Sequence, residues 1–251
     1  MIKKKIINIL RDYKINYSDI VPPPYLLISS YNQEFINIGL ERNNLFIKQF
    51  KVHFNSKNYL LNYFFPKLDP NDRYILSYEK MIIEDKNAYK KLLDKYNLDQ
   101  AFYVKINQNK SQNKVKVLMK FFDKNINKFK LIMQFEYFIE DNNNNDSTLN
   151  LLSEDILYKL DNWWKKENLI NNSKINSIKC IIKSNNFDDF NFIKSNINDL
   201  SQVLTMRPIK IKINNNVEKI EYYGDIDILT KSLLSKGVTL VDPDNCSILS
   251  H

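Results

Sequence analysis

The chain reads as an α/β plus α+β protein, with a mixed-sheet N-terminal domain followed by a ferredoxin-like βαββαβ domain. Two observations predict this. Residues 177–241 pass through apolar periods of two and of three to four in the order β-α-β-β-α-β, which is that of the ferredoxin-like split unit. A low-complexity run over 141–146, with four consecutive asparagines, separates that block from an N-terminal half that mixes short apolar runs with amphipathic segments. The expected partition is a mixed α/β domain over 1–140, a hinge and amphipathic helix over 141–172, and the ferredoxin-like domain over 173–251.

At the start, Ile6, Ile9, Leu10 and Tyr13 recur at helical spacing and predict an amphipathic helix over 2–13. The basic opening looks like an export signal, but its apolar patch breaks at Arg11 and Asp12, short of the roughly 7–15 residues that an h-region needs. Val21 and Pro22 to Pro24 form a stiff lead into a strand over 25–29, and 34–50 mixes helix and loop. The aromatic run over 59–65, ended by Pro66, predicts a buried strand. A turn over 68–73 leads into a short helix near 75–83. A second helix follows from Asp85, with Ala88, Tyr89, Leu92, Leu93 and Tyr96 on one face.

Strands are expected over 101–106, 114–122 and 128–139; in the second, Val115, Val117 and Met119 alternate with lysines, so one face is wet. A long helix over 147–168 carries Leu149, Leu152, Ile156, Leu160, Trp163 and Trp164. In the C-terminal block a strand over 177–183 precedes Phe187, Phe190, Ile193, Ile197 and Leu200 at helical spacing, with Asp188 and Asp189 in the first turn where the dipole favours them. Ile209, Ile211 and Ile213 alternate with Lys210 and Lys212 in a strand over 203–213, which assigns the isoleucines to the core. A turn at 214–216 leads to a strand over 217–223. Asp225 is placed to cap a helix through Leu234, Gly237 at its left-handed C′ position, and 238–241 closes the set.

Composition narrows the chemistry. The 251 residues are 43% hydrophobic and 13% aromatic, enough for a packed core. Gly39, Gly224 and Gly237 are the only glycines and stand isolated, so no dinucleotide fingerprint, phosphate loop or nucleophile elbow can be written. The two histidines, His53 and His251, and the two cysteines, Cys180 and Cys246, show no metal-ligand spacing. No metal, cofactor or catalytic residue is expected. The cysteines read as buried small hydrophobes; one disulfide is the alternative, for which the spacing offers no argument. The net charge of +8 and pI near 9.1 invite a nucleic-acid or anionic-membrane partner. The excess is nearly all lysine interleaved with Asp and Glu, as on a solvated surface. No stretch approaches the roughly 20 apolar residues of a membrane span.

Several segments in order resemble an uncharacterised proteobacterial domain-of-unknown-function family, number two-zero-six-six in the usual series. They are Ile15 to Asp19 before Tyr25 to Ile28, and Asn43 to Phe46 through Phe50, where the family has an Asn-Pro-Trp stretch. Pro66 to Arg73 resembles its Pro-x-x-Asp-Leu-x-Asp turn, and Ala88 to Val104 its helix-then-strand segment. Trp164-Lys165 and the terminal block with Tyr223-Gly224-Asp225 complete the match. Tryptophans and prolines of the family's first domain are partly replaced here by Phe, Leu and Lys. Family members begin with a signal peptide and a further N-terminal region, after which this chain starts. The resemblance implies an exported, periplasmic or envelope-associated protein and brings no activity; a chain truly starting at Met1 would be cytoplasmic.

Asp69, Asp72 and Arg73 form the compact polar cluster of the first half. Paired carboxylates suit acid–base or cation chemistry, but a capped turn with an Asp–Arg ion pair is the simpler reading. Trp163 and Trp164, beside Lys165 and Lys166, could stack on a partner; being about 100° apart on a helix, one belongs to the core and one to a cover or contact. Lys114, Lys116, Lys120, Lys210 and Lys212 read as solvated sheet faces. The expected function is a non-enzymatic, envelope-associated scaffold or interaction protein with a protein partner, and pairing of two copies through the C-terminal sheet. The alternatives are a nucleic-acid-binding protein and a small-molecule-sensing module.

Overall fold

A computed structural model describes residues 2–13, 15–33, 36–109, 113–138, 145–212, 215–242 and 245–250. The hinge positions 141–144, with Ile213 and Asn214, lie outside the described residues. The elements in chain order begin with α1 (Ile2–Asp12), β1 (Pro24–Gln33), β2 (Ile36–Ile38), α2 (Leu45–Ser56) and β3 (Asn62–Phe64). Next come α3 (Pro70–Ile75), α4 (Tyr78–Ile82), α5 (Lys86–Tyr96), β4 (Gln100–Asn109), β5 (Lys114–Asp123) and β6 (Lys128–Phe138). Then follow α6 (Asn145–Asn168), β7 (Ile175–Lys183), α7 (Phe187–Asn198), β8 (Val203–Lys210), β9 (Asn215–Tyr223), α8 (Ile226–Leu234), β10 (Val238–Val241) and β11 (Ser247–Ser250). This is a mixed α/β chain with two mixed sheets. They belong to two compact units, Pro22–Trp163, and Met1–Val21 with Trp164–His251.

In the unit Pro22–Trp163 the sheet runs β2-β1-β4-β5-β6, with β3 on the same edge of β1 as β2. β1 and β4 are parallel; β5 and β6 continue antiparallel. Side chains alternate across it as the pleat requires. Leu26, Ile28, Ala101 and Tyr103 pack with Ala88, Tyr89, Leu92 and Leu93 of α5, the face the helical spacing predicts. On the other face, Tyr31 meets Phe46 of α2, and Phe102 and its cross-strand neighbour Phe121 meet Trp163 of α6. Asp85 caps α5 by accepting from the Asn87 and Ala88 N–H groups, and Asn97 ends it at φ 52°, in the left-handed region. The aromatic run forms a strand of only three residues, β3, paired with Pro24 to Leu26 of β1, while β1 extends beyond the predicted 25–29 to Gln33 and pairs β2 at its far end.

The other unit holds the sheet β10-β11-β7-β9-β8, with α7 and α8 on one face. The elements of the β-α-β-β-α-β series are present in order, but the sheet differs from the ferredoxin-like arrangement. β11, which the sequence reading lacks, lies between β10 and β7, antiparallel to the first and parallel to the second. Its four residues, Ser, Ile, Leu and Ser, carry no period that marks a strand.

Cys180 and Cys246 are disulfide-bonded across 66 residues, which corrects their reading as separate small hydrophobes. Residues 2–21, grouped by sequence order with the strands that follow, belong here. Tyr17 bridges to Ile170, the Tyr17 hydroxyl donates to the Ser201 carbonyl at 3.1 Å, and Arg11 donates to the same carbonyl. The buried face of α1 is accordingly not the one the spacing suggests: Ile7 is buried, whereas Ile6, Ile9 and Tyr13 are exposed.

Three further expectations change. Ile209 and Ile211 are 52% and 79% exposed: the β8–β9 register slips between Val203 and Thr205, so Met206 and Pro208 rather than the odd-numbered residues stand opposite Ile220 and Glu218, and Ile211 lies past the end of β8. Asp225 makes no capping hydrogen bond and pairs instead with Lys174 at 2.7 Å. Gly237 has φ 73°, the left-handed conformation expected, one residue later than C′.

Candidate functional site

The sequence-predicted cluster Asp69, Asp72 and Arg73 is a structural knot in which the cation differs from the expected one. Asp72 is fully buried, and its carboxylate accepts from the Leu68 N–H at 2.9 Å, the Tyr96 hydroxyl at 2.8 Å and Lys95 Nζ at 2.6 Å. Asp69 caps α3, accepting from the Asp72 N–H at 2.8 Å, and also takes Lys95 at 3.0 Å. The Asp72 N–H and Lys95 hold the Asp69 carboxyl below its usual range. Lys95 is opposed by its desolvation, but its hydrogen bonds to Asp72 and Asp69 prevail and raise it. Arg73 is exposed; with Glu41, Arg42 and Asp69 it borders a shallow depression of about 360 Å³. Lys95 lies 23 residues beyond Asp72, so no local spacing could announce it.

Trp164 is buried at 4% exposure and presents no surface to a partner. Trp163 is half-buried, edge-on to Phe102 at 5.7 Å and tilted on Phe121 at 5.4 Å, with Lys130 Nζ 5.7 Å above its ring. The lysines of β5 are paired: Lys114 and Lys116 reach Glu136 at 3.6 and 3.1 Å, and Lys120 reaches Glu84.

The strongest site was not singled out by sequence. In the five-stranded sheet, the register of β9 places Glu218 between Cys180 of β7 and Pro208 of β8, on the face that carries α7 and the apolar core. Glu218 is 1% exposed. Its Oε1 stands 3.9 Å from Lys194 Nζ of α7, beyond hydrogen-bond length, and its Oε2 has no partner. Burial raises this carboxyl above its usual value, and Lys194 offsets only part of that. The carboxyl lies in a groove of about 390 Å³ walled by Phe187, Phe190, Pro208 and Ile211 and rimmed by Lys212. Asn186 shapes one end by capping α7, accepting from the Asp189 N–H at 2.8 Å.

No family model matches the chain, and no curated protein does. Two solved structures are similar to part of it. One is lipoprotein GNA1162 from Neisseria meningitidis, with a TM-score of 0.35, 12% identity, and 55% of this chain covering 96% of that one. The other is the C-terminal domain of LpoB from Salmonella enterica, with a TM-score of 0.31, 8% identity, and coverage of 55% and 95%. Among the described residues no cluster of three His, Cys, Asp or Glu could hold a metal ion, and no helix is long and apolar enough to cross a membrane.

The opposite face of the same sheet is a second feature. Lys179, Ile181 and Lys183 of β7 and Arg207 and Lys210 of β8 are exposed there, flanking Val217 and Lys219 of β9. Glu221, held by Thr205 at 2.9 Å and Lys219 at 2.7 Å, is the acidic group among them. At one end Arg11 of α1 stacks over Tyr223 at 4.8 Å. One signal could have found Glu218: it breaks the apolar alternation of Glu218, Ile220 and Tyr222, which face the core together.

Proposed function

We propose that this protein is a non-enzymatic, envelope-associated interaction module that recognises an acidic surface of a partner protein through the outer face of its five-stranded sheet. The observation that carries the reading is that face itself, where Lys179, Lys183, Arg207, Lys210 and Lys219 surround Ile181 and Val217 while α7 and α8 pack on the other side. Exposed cations around a small apolar centre suit a complementary acidic patch, since charge steers encounter and the apolar centre supplies desolvated contact. The Cys180–Cys246 disulfide supports the compartment, because disulfides persist where thiols are not kept reduced. The family resemblance, with its exported members, agrees with that placement.

The test has two parts. Cells expressing the tagged chain are fractionated and treated with a thiol alkylator before and after reduction; the reading expects an envelope fraction alkylated only after reduction. A photocrosslinker at Ile181 should then form a discrete protein adduct in intact cells that disappears on Lys179→Glu with Lys219→Glu. A cytosolic, fully alkylated chain, or an Ile181 adduct indifferent to charge reversal, would overturn it.

The same basic face favours a second reading, binding of nucleic acid. It predicts a nuclease-sensitive adduct and an affinity whose logarithm falls with log salt at about −0.9 per phosphate neutralised. The disulfide places it second.

A further inference from the structure

We infer that the groove beside α7 is a binding site for a small apolar zwitterion, namely a free α-amino acid with a large hydrophobic side chain, whose ammonium meets Glu218 and whose carboxylate meets Lys212. It stands apart from the proposed partner surface, since Glu218 faces α7 and the basic surface occupies the other side of the sheet.

The argument begins with Glu218. A carboxylate 99% withdrawn from solvent normally has every oxygen hydrogen-bonded, because an unsatisfied buried acceptor forfeits its hydration for nothing. Here Oε2 is buried without a donor, Glu218 is among the side chains that line the groove, and the nearest cation to Oε1 among the described residues, Lys194, is held at 3.9 Å. Lys194 cannot close on it fully, since its Nζ is also drawn over the Phe190 ring at 5.5 Å. A donor carrying positive charge is what this oxygen can accept. Burial that raises the carboxyl would then be countered, because an ammonium at Oε2 favours the ionised form.

The rest of the groove determines what the ammonium is attached to. Phe187, Phe190, Pro208 and Ile211 supply aromatic and aliphatic walls, of which Phe187 and Ile211 are 74% and 79% exposed. A volume of about 390 Å³ is at the small end of ligand sites. A bare amine would leave two lysines, Lys194 and Lys212, repelling it. A bare carboxylate would leave Oε2 unsatisfied. A molecule with both charges on one carbon and an apolar side chain satisfies the carboxyl, the rim lysine and the walls at once. Lys194 from α7 and Lys212 after β8 are the charged groups that line the groove with Glu218; its strand neighbours Cys180 and Pro208 carry none.

Calorimetric titration of the full oxidised chain at neutral pH tests this, with L-phenylalanine and L-leucine as probes. Saturable binding with Kd of about 1 mM or below is expected. Blocking the ammonium (N-acetyl-L-phenylalanine) or removing the carboxylate (L-phenylalaninamide) should each weaken binding about tenfold or more, as should Glu218→Gln, which keeps the side-chain volume. Phe187→Ala, at an exposed position that folding does not need, should weaken it several-fold and serves if the glutamine variant misfolds. The inference is overturned if neither amino acid binds at 10 Kd-equivalents of that range (about 10 mM), if 3-phenylpropanol binds as well as L-phenylalanine, or if both variants bind unchanged.

Discussion

Cys180 and Cys246 join β7 to the residue just before β11, where the two strands otherwise share only the register pairs Ser247 with Ile181 and Ile248 with Ile182. The Ile181 N–H donates to the Cys246 carbonyl at 2.8 Å, so covalent and hydrogen bonds meet at one seam. The β10–β11 hairpin depends on that seam for its place in the sheet.

Reduction should therefore destabilise this unit. The bond closes a loop across 66 residues, for which loop-closure entropy corresponds to about 4 kcal/mol. Urea unfolding with and without a reductant should show this loss, and hydrogen exchange should show the amides of β10 and β11 losing protection before those of β9. A reduced chain as stable as the oxidised one would contradict it.

Glu218 makes stability depend on pH in an identifiable direction. Its folded pKa is raised by burial above the unfolded value. Its contribution is then fully present below the ordinary carboxyl range and is lost as pH rises through the raised value. Glu218→Gln should raise the melting temperature at pH 7 by about 2–4 °C, and the difference should shrink to nothing by pH 4. Calorimetric scans across that range check both the sign and the window.

In the other unit, Asp72 rather than Arg73 carries the stability of its turn. Asp72→Ala leaves Lys95, the Tyr96 hydroxyl and the Leu68 N–H without their shared acceptor and should cost about 3–5 kcal/mol. Arg73→Ala, at an exposed position, should change stability by less than about 0.5 kcal/mol. Equal losses from the two substitutions would restore the Asp–Arg pair read from sequence.

Trp163 closes the aromatic stack of Phe102 and Phe121. Trp163→Ala should cost about 2–3 kcal/mol, less than a fully buried tryptophan, because the side chain is only half-buried. Denaturant melts will measure this; a neutral substitution would free the ring for a role in binding alone.

Local physics determined much of this protein from the sequence by itself. Helical spacing located α5, α6, α7 and α8, and Asp69 and Asp85 mark helix starts because a cap bonds within three residues of itself. The isolation of its three glycines likewise means that no phosphate-loop motif can be written in the sequence. Tertiary structure alone decided the rest: that Lys95 and not Arg73 reaches Asp72, that Cys246 meets Cys180, and that β11 enters between β10 and β7. It also decided that a register slip after Val203 takes Ile209 off the core face, and that Glu218 lines a groove. Each of these joins residues far apart in the chain or depends on the register between strands. Sequence period reports which side chains share a face, whereas strand pairing and packing choose what that face meets.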